Sequence, residues 1–221
     1  MKELTGSSVL KQYFFYSSAS IHLFFIFRSR GKVICYTVFM NKSTQEILTG
    51  LQTLHLPRWE ELPDFNLYMD QVLSLLNGWL EPLNFEKNKG ILTSGMINNY
   101  VKNSIVKAPV KKHYKKYHLA YLLVVACMKR CYSLSEIAGL IRIYSDIEDP
   151  TRIAKDYNRV IQILEGSIQE ILDSGTCRRE YFDEPDQTQL LVTSVMRSVA
   201  CKIYAEIQLI SAEEQNAAGK D

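Results

Sequence analysis

The chain has 221 residues, 26 Lys and Arg against 24 Asp and Glu, and is 47% apolar and 23% charged, which excludes collagen-like, mucin-like and wholly disordered chains. At this length one large domain or two small ones bury a real core without disulfides or metals. The net charge of +2 conceals an asymmetry: residues 87–135 hold 10 basic side chains and no acidic one, whereas residues 136–221 hold 9 basic and 16 acidic. Such a basic middle suits a polyanionic partner.

From Gln12 to Phe27 no residue carries a formal charge, and Phe14, Phe15, Ile21, Leu23, Phe24, Phe25, Ile26 and Phe27 make the run strongly apolar. It has the look of a targeting segment, but as a helix its 16 residues at ~1.5 Å each fall short of a hydrocarbon core of ~30 Å. Arg28-Ser29-Arg30-Gly31-Lys32 supplies no small-x-small cleavage site. Residues 1–39 are therefore expected to be a non-native or targeting extension, with initiation at Met40. A membrane contact is expected only if that segment is retained.

Beyond it, Leu56 to Phe65 is extended and proline-punctuated, with Asp64 placed to cap a helix over 65–80 whose apolar residues recur at three- and four-residue steps. Thr93 or Ser94 opens a second helix running to about Asn103. Residues 105–114 contain Pro109 and three lysines and predict a short hairpin, followed by a helix over 116–131. Ser133 and Glu136 have capping-box spacing, and Asp149-Pro150 ends that helix. Residues 151–172 and 187–210 predict two more apolar-striped helices, with the tail from Ala212 frayed.

The helix at 94–103 places Met96, Ile97, Tyr100 and Val101 on one side and Gly95, Asn98, Asn99 and Lys102 on the other. An asparagine pairs bidentately with adenine in the major groove, and a lysine one turn on reaches phosphate or guanine. The following Lys107, Lys111, Lys112, Lys115 and Lys116, interleaved with Pro109, His113 and Tyr114, form a candidate basic wing over flanking phosphates. The expected DNA-contacting set is thus Asn98, Asn99, Lys102, Lys107, Lys111, Lys112, His113, Lys115 and Lys116.

In order and spacing, Thr93…Met96-Ile97-Asn98-Asn99-Tyr100-Val101-Lys102, Ile105-Val106 to Pro109, Tyr114-Lys115-Lys116-Tyr117-His118-Leu119 and Ser133-Leu134-Ser135-Glu136-Ile137 resemble the DNA-binding region of MerR-type winged helix-turn-helix regulators. Leu56-Pro57-Arg58-Trp59-Glu60-Glu61-Leu62-Pro63, together with the 96–102 motif, resembles the bacterial domain-of-unknown-function family numbered 1836 over about residues 45–200. That family has no established activity, so what the resemblance implies is a DNA-binding class. Two departures from the MerR pattern stand out. A loop at 81–92 separates the preceding helix from the candidate recognition helix, and Asn99-Tyr100 stands where those regulators carry an arginine-tyrosine pair.

The cysteines Cys35, Cys127, Cys131, Cys177 and Cys201 are odd in number and lack metal-ligand spacing, so neither a disulfide framework nor a zinc site is expected, and a reducing cytoplasm fits. His113 and His118 are five residues apart and do not share a helix face. No phosphate-binding, nucleophile-elbow or metalloprotease motif is present, so the chain is expected to be neither an enzyme nor a cofactor protein. The resulting expectation is a mainly α protein: a winged helix-turn-helix core, MerR-like, over 40–150, and additional C-terminal helices over 151–221 that form a homodimer or bind a partner. Its function would be DNA-binding transcriptional regulation. The alternative is a winged-helix protein-interaction module that does not bind DNA.

Overall fold

The structure is a computed structural model and describes residues 11–17, 20–29, 32–37, 42–87, 89–144 and 150–218. Among them are seven α-helices and three β-strands, so the protein is mainly α. Two compact units are present, one of residues 1–42 with 86–88, the other of 43–85 with 89–221. Met40 and Asp149, singled out in the sequence, lie outside the described residues.

The first unit contains an antiparallel meander of β1 (Lys11–Ser17), β2 (Ser20–Ser29) and β3 (Lys32–Thr37), with Phe14 opposite Leu23 and Phe25 opposite Tyr36. Residues 12–17 and 20–27 of the charge-free run are therefore strands, a correction to the expectation that strand pairing is confined to 105–114. Phenylalanine and isoleucine, with their high β-propensity, fill that run and suit extended backbone. Among the described residues no helix is long and apolar enough to cross a membrane.

The second unit opens with α1 (Thr44–Gln52), started by a capping box in which the Ser43 hydroxyl accepts from the Glu46 amide at 3.2 Å and the Glu46 carboxylate accepts from the Ser43 amide at 2.8 Å. A 3₁₀ turn at Trp59–Glu61 follows, then α2 (Met69–Trp79). The latter starts four residues later than the sequence predicts, and Asp64 does not cap it. The cause is tertiary: Leu67 and Tyr114 exchange backbone hydrogen bonds at 2.9 and 2.8 Å, holding the chain extended through Leu67 and Tyr68. Leu67 is buried there, while Phe65 and Tyr68, expected in the core, are exposed.

After a second 3₁₀ turn at Glu81–Leu83 come α3 (Ser94–Lys102), α4 (Lys116–Met128), α5 (Leu134–Tyr144), α6 (Pro150–Ser174) and α7 (Gln187–Ala218). Burial of Leu119, Ala120, Leu122, Leu123, Val125 and Ala126 surrounds α4 with core on nearly every side, the mark of a central helix. Ser133 and Glu136 form the expected capping box for α5, with bonds of 2.7 and 3.3 Å. The C-terminal tail is helical to Ala218, where fraying was expected; Glu214 reaches back to accept from the Thr44 amide at 3.0 Å, satisfying a free donor at the start of α1.

One hydrophobic core runs through this unit, from Ile47 and Leu51 of α1 through α2–α5 to Ile161, Leu164 and Ile168 of α6 and Met196, Val199 and Ile203 of α7. The core continues across residue 150, the expected domain boundary. The apolar stripes of α6 and α7, assigned from sequence to dimerisation, are buried within the chain.

The proline-rich segment before α2 is pinned to α6. Glu165 pairs with the Arg58 guanidinium and accepts from the Leu56 amide at 2.6 Å, Asn158 accepts from the Trp59 amide at 2.7 Å, and the Tyr157 hydroxyl donates to the Pro57 carbonyl at 2.7 Å. Burial pushes the Tyr157 phenol well above its ordinary value. The Leu-Pro-Arg-Trp motif thus has an architectural use.

Candidate nucleic-acid interface

The Thr93 hydroxyl accepts from the Met96 amide at 3.3 Å and starts α3. Ile97 and Tyr100 face the core and are fully buried, whereas Asn98, Asn99 and Lys102 are exposed, as the helical spacing requires. The Asn99 side-chain oxygen accepts from the Asn103 amide group at 2.9 Å, and the same group bonds the Asn99 carbonyl at 2.7 Å. Asn98 makes no side-chain hydrogen bond among the described residues, so both its donor and its acceptor face solvent.

The approach to α3 is held by one side chain. Asn77 of α2 donates to the Leu92 carbonyl at 3.0 Å and accepts from the Leu92 amide at 2.9 Å. Gly90 passes so close that a Cβ there would lie 3.0 Å from the Asn77 side-chain oxygen. The end of the loop that departs from the MerR pattern, at Gly90 and Leu92, is therefore clamped onto α2 just ahead of α3.

The exit from α3 is equally fixed. The amides of Ile105 and Val106 converge on the Tyr100 carbonyl at 3.0 and 3.4 Å, and both side chains are buried. The chain then forms the hairpin turn Val110-Lys111-Lys112-His113, closed by the His113 amide on the Val110 carbonyl at 2.9 Å. Lys111 and Lys112 have φ of 50° and 65°, the left-handed backbone of a type I′ turn, normally taken by Asn-Gly. Each non-glycine residue held there costs on the order of 1–2 kcal/mol. Two lysines are thus presented at the tip despite a backbone penalty.

The expected lysines divide into groups. Lys102, Lys107, Lys111 and Lys112 are exposed and have no ion pair among the described residues. Lys116 lies 5.3 Å over the Trp59 ring and His113 packs 4.7 Å from the Tyr68 ring, so both have intramolecular work. Lys115 sits at the cap of α4, where its amide donates to His118 Nδ1 at 2.8 Å. Arg130, also in the basic segment, is spent on Glu206, the Leu83 carbonyl and the Phe85 ring.

His118 is buried between Tyr117, stacked at 4.0 Å, and Tyr114, edge-on at 5.4 Å. Because Nδ1 accepts, Nε2 carries the proton; the Ala108 carbonyl lies near it, but no hydrogen bond of normal geometry forms. Burial holds the imidazole below the ordinary histidine value, against an opposing pull from the carbonyls of Ala108, Lys115 and Lys107. Burial likewise pushes the Cys127 thiol up to about 12, consistent with a packing role for that residue.

Sequence reasoning missed the apolar surroundings of the hairpin. Phe65, Tyr68 and Val110 are 63%, 57% and 60% exposed, and the Leu67–Tyr114 pairing brings the 65–68 segment beside the hairpin. A partner 47 residues away leaves no local signal in the sequence. Among the described residues no group of three or more His, Cys, Asp or Glu is arranged to hold a metal ion.

Residues 57–160 match the family Domain of unknown function (DUF1836). The match supports that family for the segment that holds the clamp, α3, the hairpin, α4 and α5. The DUF1836 match begins at Pro57, within the segment pinned to α6, and stops inside α6, leaving α1 and α7 outside it. Comparison with curated proteins and with solved structures finds no match.

Proposed function

We propose that this is a cytoplasmic DNA-binding transcriptional regulator in which α2, α3 and the hairpin act as a MerR-like winged helix-turn-helix. The observation that carries this reading is the run of exposed, unpaired Lys102, Lys107, Lys111 and Lys112 directly after a helix that turns Asn98 and Asn99 to solvent. In this reading α3 lies in the major groove with Asn98 against a base edge, and the hairpin lysines meet flanking phosphates. Lys115 and Lys116 add charge at the hairpin base, while the Lys116–Trp59 and His113–Tyr68 contacts hold it in place. The protein acts as a homodimer through the outer faces of α6 and α7, where Leu190 and Leu209 remain exposed.

Two variants test the assignment by fluorescence anisotropy on DNA fragments selected by the wild-type chain. Asn98→Ala relaxes base preference at one position and costs ~1–3 kcal/mol on the preferred fragment. Lys111→Ala weakens all fragments alike and lowers the log-log salt slope by about 0.9. Unchanged binding in both variants contradicts the assigned surface.

A second reading is favoured by Phe65, Tyr68 and Val110, whose exposure beside the hairpin suits an acidic protein partner in place of DNA. It predicts no DNA affinity even at low salt.

A further inference from the structure

Residues 175–186, which join α6 to α7, run back along α6 as a strap. Gly175, with φ of 70°, ends the helix in left-handed backbone and turns the chain. Glu170 holds the strap on α6 by accepting from the Arg178 amide at 2.7 Å and the Arg179 amide at 3.0 Å, and farther along Arg159 donates to the Tyr181 carbonyl at 3.3 Å. On the other side, Arg197 of α7 donates to the Arg179 carbonyl at 2.6 Å. We propose that Cys177 of the strap and Cys201 of α7 form a redox-modification site, which a hydroperoxide converts to a disulfide that locks the strap onto α7.

The register of the strap brings the two thiols together. Ile153 and Val160 of α6 line one cavity with Leu191 and Val195 of α7, so α7 starts beside the first half of α6 and runs opposite to the strap. From Arg179 back to Cys177 the chain spans at most about 7 Å, and from Arg197 forward to Cys201 is one helical turn of about 6 Å, so the bond between the two arginines sets the cysteines level with each other. The Cys177 thiol donates to the Ser167 carbonyl at 3.4 Å, which fixes it between the helices. The Cys201 thiol lies within hydrogen-bond reach of it. Cys131 is engaged elsewhere on α7, its thiol on the Ser198 carbonyl at 3.6 Å.

Unequal exposure assigns the roles. Cys201 is exposed and meets the oxidant, whereas Cys177 is half-buried. With hydrogen peroxide, the Cys201 sulfur attacks one oxygen, the O–O bond breaks, and the other oxygen leaves with the thiol proton as water, giving a sulfenic acid. The Cys177 sulfur then attacks the Cys201 sulfur, the S–O bond breaks, and a second water leaves with the Cys177 proton. Two electrons pass from the sulfurs to the peroxide. Burial, and after it the neighbouring Cys201 thiol, push the Cys177 thiol above its ordinary value, so it keeps its proton and reacts second.

The inference stands independently of DNA reading, and its test uses no DNA. The full chain is reduced, freed of reductant, treated with hydrogen peroxide, blocked at its remaining thiols and mapped by tryptic digestion. The expected product joins the Cys177 peptide to the Cys201 peptide, with an intact mass lower by two hydrogens. Its thermal midpoint is higher than that of the reduced chain, because a cross-link the fold already accommodates restricts the unfolded state. Dithiothreitol reverses both changes. Cys201→Ser loses the link and the midpoint shift; Cys177→Ser loses both as well and leaves Cys201 open to further oxidation to the sulfinic acid. Failure of the link to form in the wild-type chain, Cys201 joined instead to Cys131 or to a second chain, or a link that leaves the midpoint unmoved overturns the proposal.

Discussion

Asn77 shows how much of this molecule turns on single polar side chains. Its amide satisfies both backbone groups of Leu92, which is buried and has no water to replace them. Asn77→Ala therefore destabilises the chain by ~1–3 kcal/mol in urea unfolding, the cost of leaving buried polar groups unpaired. Sequence reading has no access to this bond, because donor and acceptor are fifteen residues apart across a loop. His118 provides a second prediction. Its folded pKa lies below the ordinary 6.5, so the unfolded chain binds the proton more readily and stability falls as the pH drops below about 6.5. The lowered carboxylates Glu60, Glu61, Glu136 and Glu170 add their losses only at lower pH, as the solution falls through their lowered values. Thermal midpoints measured from pH 7 to 5 should therefore decline in the wild-type chain and decline less in His118→Gln.

The elements themselves were legible in the sequence wherever their signals are local. Thr93, and Ser133 with Glu136, start α3 and α5 through bonds between positions three residues apart, and the inner and outer faces of α3 follow from spacing alone; the Ser43–Glu46 box of α1 carries the same local signal and went unread. What escaped is whatever depends on distant chain. The start of α2 is set by Tyr114, the order of the last turns of α7 goes with Glu214 on α1, and the left-handed turn at Lys111 and Lys112 defies their ordinary preference. The turn yields a prediction that separates stability from binding. Lys112→Gly relieves a left-handed side chain and raises stability by about 1 kcal/mol in urea unfolding. In the proposed interface the same change removes a phosphate contact and weakens DNA binding, whereas a protein whose hairpin lysines play no part in binding would gain stability at no functional cost.

The second compact unit behaves as one body because α6 and α7 complete the core that α1 to α5 begin. A chain ending at residue 150 loses the partners of Leu51, Leu122 and Leu123 among the α6 and α7 residues of that core and is expected to lack cooperative unfolding by circular dichroism. The charge changes sign near residue 135 and the sequence's boundary at 150 follows the break at Asp149-Pro150, whereas the core packs across both. At this scale the central claim is that the basic segment beside α3 reads DNA. The measurement that tests it most directly is fluorescence anisotropy of the full chain on genomic DNA fragments across a salt titration. The account predicts sequence-selective binding that survives moderate salt, with a steep log-log slope from the hairpin lysines. No binding at any salt would contradict it and turn the hairpin and its exposed aromatics toward a protein partner.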